Sequence, residues 1–452
     1  MIIGFMGKLF GTDGIRARAG DFPLDVDTVR AVGYLLARHF LEKLTRPPRF
    51  LIGRDTRESG PWIEKAFREG AVIAGATCES VGVITTPGVA FLTQNFGFDA
   101  GVVVSASHNP FYDNGIKIFS SSGKKLDDEI ERYVEERILS GFKISPAEAL
   151  DVRTSVDPAY YKAYLDHLAR TFDHLKLDNL KLVIDCANGA ASILASQLFS
   201  HFGCQVKLIN AEPNGSNINE NCGSLHIDNL REEVLKVGAD IGIAFDGDAD
   251  RAIFVDENGE TVDGDGVLYV LSDFLRQQGR LKNGVIVATV MSNIGLELAL
   301  EKKGLKLVRV AVGDKYVLDE LLRTGSDLGG EQSGHVILPF RSLAGDGMQT
   351  SLFILKAISE AQKPLSDLTR GFIRFPQILL NVAVKEKKPF EQAPQVIKVL
   401  REIEQEIGEK GRILLRYSGT ENLARIMIEG EDETKIKSQA LMLAEAIRTA
   451  LG

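Results

Sequence analysis

Short apolar runs alternate with amphipathic stretches over most of the chain. Apolar residues recur at three- and four-residue spacing between Val29 and Phe40, and this spacing predicts a helix. Residues 50–52 and 100–104 are instead continuous apolar runs that are too short for a helix, and polar residues follow both. Further strands of this kind are predicted at residues 182–184, 241–245 and 285–288. Strands that alternate with helices predict parallel sheets with helices on their faces, which is an α/β fold.

The pattern changes near residue 370. Strands are predicted at residues 378–384, 412–415 and 425–429, with a charged helix at 389–407 and a final helix that runs to the C-terminus. Two helices against a small antiparallel sheet would form a separate, smaller α+β domain. The changes in pattern along the chain predict domain boundaries near residues 155, 257 and 370.

Composition and charge narrow the class of protein. The chain is 44% hydrophobic and 25% charged, which is typical of a globular protein. Its 452 residues are too many for one domain. A net charge of −9 without a Lys/Arg cluster argues against nucleic acid or an anionic membrane as a partner. Four scattered cysteines indicate reduced thiols, and neither a signal peptide nor an apolar run of about 20 residues is recognisable. These features predict a cytoplasmic protein.

The first polar motif follows the apolar run at residues 100–104. Its sequence is SASHNP at residues 105–110, and Lys117 follows shortly afterwards. A serine hydroxyl at a strand end, with His108 beside it, could act as a nucleophile, and Ser107 is the candidate. An ordinary polar turn is the alternative, because Ser, Asn and Pro all favour turns. A serine hydrolase is disfavoured, because the G-x-S-x-G motif is missing.

The second motif is DGDADR at residues 246–251, directly after an apolar strand. Three alternating carboxylates, Asp246, Asp248 and Asp250, would repel one another unless a cation neutralised them. Carboxylate oxygens predict Mg²⁺ or a similar ion. An EF-hand does not fit, because Arg251 stands where that loop requires glycine. A solvated acidic turn is the remaining alternative, and Arg251 could clamp a phosphate.

Three further loops combine glycine with polar or basic residues. They are GTDGIR at residues 11–16, GGEQSGH at 329–335 and RYSGTE at 416–421 with Arg425 following. Arginines beside tight turns can hold phosphate, whereas Glu, Ser and His suit sugar hydroxyls. Each loop alone could be an ordinary turn, and GRDTR at residues 53–57 is expected to be mostly structural. Together the loops supply what phosphoryl transfer on a sugar phosphate requires.

The motifs GTDGIR, SASHNP, DGDADR, GGEQSGH and RYSGTE occur in this order over nearly the whole chain. The combination resembles the α-D-phosphohexomutase superfamily, and within it the bacterial branch that acts on glucosamine phosphates. The resemblance implies three related α/β domains with mixed or parallel sheets and a smaller C-terminal α+β domain around a central cleft. The domains would carry the phosphoserine, metal-binding, sugar-binding and phosphate-binding loops at residues 1–155, 156–257, 258–369 and 370–452.

The resemblance also implies roles for individual residues. Ser107 would be the phosphoserine and would hold one Mg²⁺ per chain together with Asp246, Asp248 and Asp250. Lys117 would manage the proton, with His108 as the alternative or helper and Arg16 as a further catalytic residue. The residues expected to bind substrate are Arg251, Lys315, Glu331, Ser333, His335, Arg416, Ser418, Gly419, Thr420 and Arg425.

The implied reaction converts glucosamine 6-phosphate to glucosamine 1-phosphate through a 1,6-bisphosphate, which would also prime the enzyme. This reaction would feed UDP-N-acetylglucosamine and cell-wall synthesis. A phosphomannomutase or phosphoglucomutase is the same-class alternative. A phosphatase with Asp246 as nucleophile, or a non-catalytic sugar-phosphate sensor, is less favoured. The partner would be a small phosphosugar, and a homodimer is possible. Ala17 and Asn422 depart from the usual pattern at flanking positions.

Overall fold

The computed structural model describes residues 9–144, 157–418 and 422–452. The chain divides into a larger unit, Met1–Val290 with Val308–Thr369, and a smaller unit, Met291–Leu307 with Arg370–Gly452. The predicted domain boundary at 155 and two predicted phosphate-binding residues, Gly419 and Thr420, lie outside the described residues. Within the described ranges, no helix is both long and apolar enough to cross a membrane.

The first sheet belongs to the larger unit and has the strand order β1-β5-β4-β2-β3. Strand β2 runs parallel to β3 and β4, whereas β5 runs antiparallel to both β4 and β1. A hydrophobic core lies between the sheet and its helices. The elements of this region are β1 (Ile15–Arg18), α1 (Val26–Lys43), β2 (Arg49–Arg54), α2 (Gly60–Ile73), β3 (Thr77–Val83), α3 (Thr86–Asn95), β4 (Ala100–Val104), β5 (Asp113–Ser120) and α4 (Asp128–Leu139).

The second sheet repeats this plan with the order β10-β9-β8-β6-β7. Strand β6 is parallel to β7 and β8, and β9 is antiparallel to β8 and β10. A 3-10 turn lies at Gly223–Leu225. The other elements are α5 (Pro158–Thr171), β6 (Lys181–Asp185), α6 (Ala191–His201), β7 (Gln205–Ile209), α7 (Asp228–Val237), β8 (Ile241–Phe245), β9 (Ala252–Val255) and β10 (Thr261–Val262).

The third sheet has the order β12-β11-β13-β14, with β11 parallel to β13 and β13 antiparallel to β14. The elements along this stretch of the chain are α8 (Gly264–Gln277), β11 (Val285–Thr289), α9 (Ile294–Glu301), β12 (Lys306–Val310), α10 (Asp314–Thr324), β13 (Gly329–Gly330), β14 (Val336–Ile337), α11 (Gly347–Ala361) and α12 (Leu365–Thr369). Of these, α9 belongs to the smaller unit. All three sheets therefore combine parallel strands with an antiparallel edge. The predicted α/β fold with mixed sheets is confirmed.

The smaller unit contains an antiparallel sheet of order β15-β17-β16, with helices packed on one face. Its elements are β15 (Gln377–Ala383), α13 (Pro394–Ile407), β16 (Arg412–Tyr417), β17 (Leu423–Glu429) and α14 (Glu433–Leu451), with 3-10 turns at Phe390–Gln392 and Gly408–Lys410. The predicted α+β domain is confirmed. The predicted start of its first helix at residue 389 was wrong. Proline disfavours helical backbone in the residue before it, so the helix begins at Pro394, where the missing N–H is harmless.

Candidate active site

Three aspartates lie at the end of β8. All five residues of β8 are buried, and the chain then turns sharply through Gly247 and Ala249, the latter at a φ of 54°. Asp246, Asp248 and Asp250 are also buried, and one carboxylate oxygen of each lies within 4.8 Å of the others. The turn therefore brings three acids together where solvent is largely excluded.

Ser107 reaches this cluster from the first sheet. Strand β4 ends at Val104, and the chain turns with Ser107 in the left-handed region at a φ of 55°. The buried Ser107 hydroxyl donates a hydrogen bond to Asp246 Oδ2 over 2.5 Å. Gly247 permits this approach, because a Cβ there would lie 2.6 Å from the Ser107 carbonyl oxygen. The structure thus brings the predicted nucleophile and the predicted metal loop into direct contact.

Lys117 lies on β5, beside β4, and is buried in the same cluster. Its Nζ lies 2.8 Å from Asp248 Oδ2, 3.0 Å from Asp250 Oδ2 and 3.1 Å from Asp13 Oδ2. Burial opposes the charge, but the three carboxylates outweigh it and hold the pKa of Lys117 well above its usual range. Lys117 is therefore an ammonium group that neutralises part of the acidic cluster.

Lys117 does not satisfy all the carboxylate oxygens. Burial, together with repulsion from Asp250 and Asp248, raises the pKa of Asp246 to about 8. The buried Oδ1 atoms of Asp248 and Asp250 make no hydrogen bond with any described residue. Hard oxygen ligands without hydrogen-bond partners among the described residues, held within a few ångströms of one another, are the donor set that Mg²⁺ uses. The residues present therefore fit a divalent cation.

The side chains of Arg251 and His335 flank the acids. Arg251 Nε lies 3.9 Å from Asp246 Oδ2 and 3.8 Å from Asp250 Oδ1. His335 Nδ1 lies 3.6 Å from Asp250 Oδ1, while its Nε2 lies 3.7 Å from Asp314 Oδ2. Burial alone would lower the pKa of His335, but Asp250 and Asp314 raise it to about 9. Two more cations therefore border the cluster.

A cavity of about 400 Å³ opens beside these groups. Several predicted site residues line it: Arg16, His108, Arg251, Glu331 and His335. Burial, together with the nearby Arg251 and Arg16 cations, lowers the pKa of His108 to about 3, so its imidazole is neutral. Neither Ser333 nor Lys315 lines this cavity; Lys315 lies in an adjoining one and its Nζ contacts Asp128.

The predicted phosphate-binding arginines lie in the smaller unit. Arg416 on β16 and Arg425 on β17 are directly opposite each other in the antiparallel register. Arg425 Nη2 donates to Ser418 Oγ over 3.2 Å. Burial and the neighbouring Arg425 cation lower the pKa of Arg416. Like charges directly opposite are destabilising in a sheet, and a bound anion would relieve the repulsion.

Five residues that contact the cluster or its loops are missing from the predicted site. They are Asp13, Arg57, Thr86, Lys125 and Asn219. Asp13 lies in the GTDGIR motif and binds Arg16, Lys117 and Lys125, so the motif contained a signal for it. Thr86 Oγ1 donates to Asp248 Oδ2 over 2.5 Å from the start of α3, and no motif pointed to it.

Comparison with known proteins shows the family of the chain. Four family models match in chain order, described as phosphoglucomutase/phosphomannomutase α/β/α domains I, II and III and a C-terminal domain, at residues 7–144, 162–259, 263–375 and 379–446. The phosphoglucosamine mutase of Solibacter usitatus is 46% identical over 98% of this chain and 99% of its own. That of Caldicellulosiruptor saccharolyticus is 45% identical over 99% of this chain and 100% of its own.

The chain belongs to the phosphoglucomutase/phosphomannomutase family. A family protein from Burkholderia thailandensis has the same fold at a TM-score of 0.80 and 23% identity, with 98% of this chain and 97% of that chain covered. The N-acetylphosphoglucosamine mutase of Aspergillus fumigatus, solved with GlcNAc-6P and magnesium, superposes at a TM-score of 0.67 and 18% identity, with 98% and 96% covered. Membership of this α-D-phosphohexomutase family makes the chain an isomerase, an intramolecular phosphotransferase.

Proposed function

We propose that this phosphohexomutase interconverts glucosamine 6-phosphate and glucosamine 1-phosphate, with Ser107 as the carrier of the phosphoryl group. The observation that supports this role of Ser107 is the 2.5 Å contact between its Oγ and Asp246 inside the buried aspartate cluster. The preference for the amino sugar is supported by relatives 42–46% identical over nearly the full length, all named phosphoglucosamine mutase.

The proposed reaction consists of two phosphoryl transfers. In the first, the P–Oγ bond of phosphorylated Ser107 breaks while a sugar hydroxyl oxygen bonds to phosphorus. The hydroxyl proton passes to a base of the site, and Ser107 Oγ takes up a proton, so charge and atoms balance. The product is glucosamine 1,6-bisphosphate. In the second transfer its other phosphoryl group moves to Ser107, which releases glucosamine 1-phosphate and restores the starting enzyme.

Side chains of the cluster would handle the proton and the developing charge. Lys117 is buried against the acids beside Ser107 and is the candidate for moving the proton. His108 is the alternative or helper, because its buried Nδ1 has no hydrogen-bond partner among the described residues. Arg16 and Arg251 border the cavity and would stabilise negative charge on the transferred group.

Asp246, Asp248 and Asp250 would hold Mg²⁺ together with an oxygen of the phosphorylated Ser107. The Oδ1 atoms of Asp248 and Asp250, which accept no hydrogen bond from a described residue, support this assignment. When bound, the ion would neutralise charge on the transferred phosphoryl group. Lys117 and Thr86 both donate to Asp248 Oδ2, and they would keep the other oxygen of that carboxylate oriented toward the ion.

The remaining predicted residues would bind the sugar and the phosphate that does not react. Glu331 accepts a hydrogen bond from the Gly313 backbone over 3.1 Å, which fixes one edge of the sugar-reading loop. Ser333, His335 and Lys315 are proposed to contact the substrate from the same region. Arg416, Ser418 and Arg425, with Gly419 and Thr420, would grip the unreactive phosphate.

Competition among substrates tests the proposal. Turnover of glucosamine 6-phosphate, mannose 6-phosphate and glucose 6-phosphate is measured with Mg²⁺ and a trace of glucose 1,6-bisphosphate. The proposal expects the highest kcat/KM for the glucosamine compound. A clear preference for mannose 6-phosphate would overturn the substrate assignment, and release of inorganic phosphate without isomerisation would point to a phosphatase.

A further inference from the structure

The left-handed backbone at Ser107 requires support. A non-glycine residue at a φ of 55° is strained, and such strain persists only when surrounding contacts enforce it. Ser107 donates its backbone N–H to Ser105 Oγ over 2.9 Å, which closes one side of the turn. Its carbonyl oxygen on the other side receives two separate donors, Arg57 and Asn219. Neither residue has a role in the proposed reaction so far.

The guanidinium group of Arg57 donates hydrogen bonds to the Ser107 loop and to Asp55. The side chain is completely buried, and its Nη2 donates to the carbonyl oxygens of Ser107 over 2.9 Å and Asn109 over 2.8 Å. Its Nη1 donates to the carbonyl oxygen of Asp113 over 3.1 Å and also to that of Pro110. Its Nε binds Asp55 Oδ2 over 2.9 Å. A planar fork with five N–H donors matches this set, whereas the single ammonium of lysine does not.

Asp55 connects Arg57 to the other end of the same loop. Asp55 Oδ2 also accepts a hydrogen bond from Ser105 Oγ over 2.6 Å, and the Asp55 carboxylate is fully buried. Ser105 in turn receives the Ser107 backbone N–H. Arg57 therefore reaches Ser107 along two routes, directly at its carbonyl oxygen and indirectly at its N–H.

Asn219 reaches the same two carbonyl oxygens from the second sheet region. Its Nδ2 donates to Ser107 O over 2.8 Å and to Asn109 O over 3.0 Å. Its backbone N–H is bound to Ala187 O over 2.9 Å, beyond the end of β6. A Cβ on Gly247, within the aspartate loop, would lie 3.1 Å from this amide. Asn219 thus joins the Ser107 loop to the region that carries the aspartates.

We propose that Arg57 and Asn219 form a carbonyl clamp, a pair of positioning residues that hold Ser107 Oγ at the aspartate cluster for phosphoryl transfer. The clamp touches neither substrate nor phosphorus and acts only through the Ser107 backbone. This inference rests on the proposed role of Ser107 as the phosphoryl carrier. A displacement of the reacting oxygen by about 1 Å costs roughly a hundredfold in rate, so loosening the clamp should lower kcat and leave KM nearly unchanged.

Two variants test the clamp from its two sides. Arg57→Lys keeps the charge and removes the fork, while Asn219→Gly removes the amide and tolerates the φ of 58° found there. The matched control is Arg30→Lys, a partly buried arginine that binds Asp27 and Glu69 on the helical face of the first sheet. We expect kcat to fall about a hundredfold in each clamp variant, and to stay at the wild-type value in the control.

The amount and the rate of Ser107 phosphorylation, measured separately, distinguish a positioning role of the clamp from a general loss of folded protein. Each protein is mixed with glucose 1,6-bisphosphate, and the amount and rate of Ser107 phosphorylation are measured by quenched-flow mass spectrometry. The clamp predicts normal final phosphorylation at a slowed rate. If only folding were impaired, the final amount would fall and the rate per molecule would stay normal, which would overturn the inference.

The experiments also distinguish failure of the clamp proposal from failure of the proposed role of Ser107. If Arg57→Lys does not fold, Asn219→Gly decides alone, and a wild-type kcat in that variant overturns the clamp. If the wild-type enzyme isomerises the sugar phosphate without ever phosphorylating Ser107, the proposed role of Ser107 fails instead, irrespective of the variants.

Discussion

The two regions that we propose to handle phosphate are built in opposite ways. Around Ser107 in the larger unit, three buried aspartates are opposed by Lys117 and bordered by further cations, Arg251 and His335. In the smaller unit, Arg416 and Arg425 lie side by side on partly buried strands, like charge against like charge. The first region sets buried acids against neighbouring cations, whereas the second sets two arginines against each other.

This difference assigns different kinetic roles to the two regions. A preorganised buried cluster favours charge that develops in the transition state, which appears in kcat. An arginine pair that meets a phosphate already charged in the substrate contributes binding to ground state and transition state alike, which appears in KM. The predictions below test this division.

Removal of the Ser107 hydroxyl should have the largest effect. Ser107→Ala deletes the proposed phosphoryl carrier, so we expect kcat to fall by about 10⁴-fold or more. The Ser140→Ala variant is the control, because Ser140 only caps α4 through its bond to Arg137 O. Isomerisation assays with both variants check this prediction. Near-normal turnover by Ser107→Ala would contradict the role of the Ser107 region in the chemical step.

Removal of the divalent cation should have the second-largest effect on turnover. Chelation with EDTA should abolish turnover and added Mg²⁺ should restore it, because the ion would stabilise the charge on the transferred phosphoryl group. Asp248→Asn should raise the Mg²⁺ concentration for half-maximal activity at least about tenfold. Mg²⁺ should also raise the Tm of the wild type more than that of Asp248→Asn, by relieving repulsion. Undiminished turnover in EDTA would contradict the metal assignment.

The arginine pair should affect binding. Loss of a charge-assisted hydrogen bond costs about 1.5–3 kcal/mol, so Arg425→Ala should raise KM roughly 10- to 100-fold with a smaller change in kcat. Arg401→Ala, on an exposed part of α13, is the control. Steady-state kinetics at two salt concentrations would show both effects. A fall confined to kcat would mean that Arg425 acts in the phosphoryl transfer itself, and it would contradict the assignment of the arginine pair to substrate binding.

The smallest effect concerns a buried acid that forms no ion pair with any residue of the described ranges. Asp346 caps α11 and accepts a hydrogen bond from Tyr164 over 2.8 Å, and burial raises its pKa from 3.8 to about 6. The folded state therefore holds this proton more tightly than the unfolded state. Its contribution to stability falls as the pH rises from about 4 to about 6.

Asp346→Asn tests this contribution, because it cannot titrate and retains the cap. The difference in unfolding free energy between Asp346→Asn and the wild type, measured with urea, should shift in favour of the variant across that pH window. A difference that stays flat with pH would show that Asp346 is ionised throughout.

Local motifs pointed to several residues that the structure brings together. Ser107 and Asp246 each follow a short buried strand, and that pattern is visible in a few consecutive residues. Apolar runs and their spacing likewise predicted an α/β fold and the smaller α+β domain, whereas the number of α/β domains came from the family resemblance. The residue at which a helix begins was harder to predict. The helix predicted from residue 389 begins at Pro394.

The supporting residues could not be found in this way. Arg57 contacts Ser107 from 50 positions upstream and Asn219 from 112 positions downstream, so their roles depend on how separate elements pack. Their sequence surroundings resemble ordinary turns, and GRDTR was accordingly expected to be mostly structural. The roles predicted for Lys315 and Ser333 stay predictions.

The most direct test of the account is the chemical location of the transferred phosphate. After incubation with glucose 1,6-bisphosphate and Mg²⁺, the quenched protein is digested and its peptides are sequenced by mass spectrometry. The account predicts a phosphate on Ser107 that chases into glucosamine bisphosphate when glucosamine 6-phosphate is added. An unmodified Ser107 with an acyl phosphate on Asp246, in an enzyme that still turns over, would contradict it.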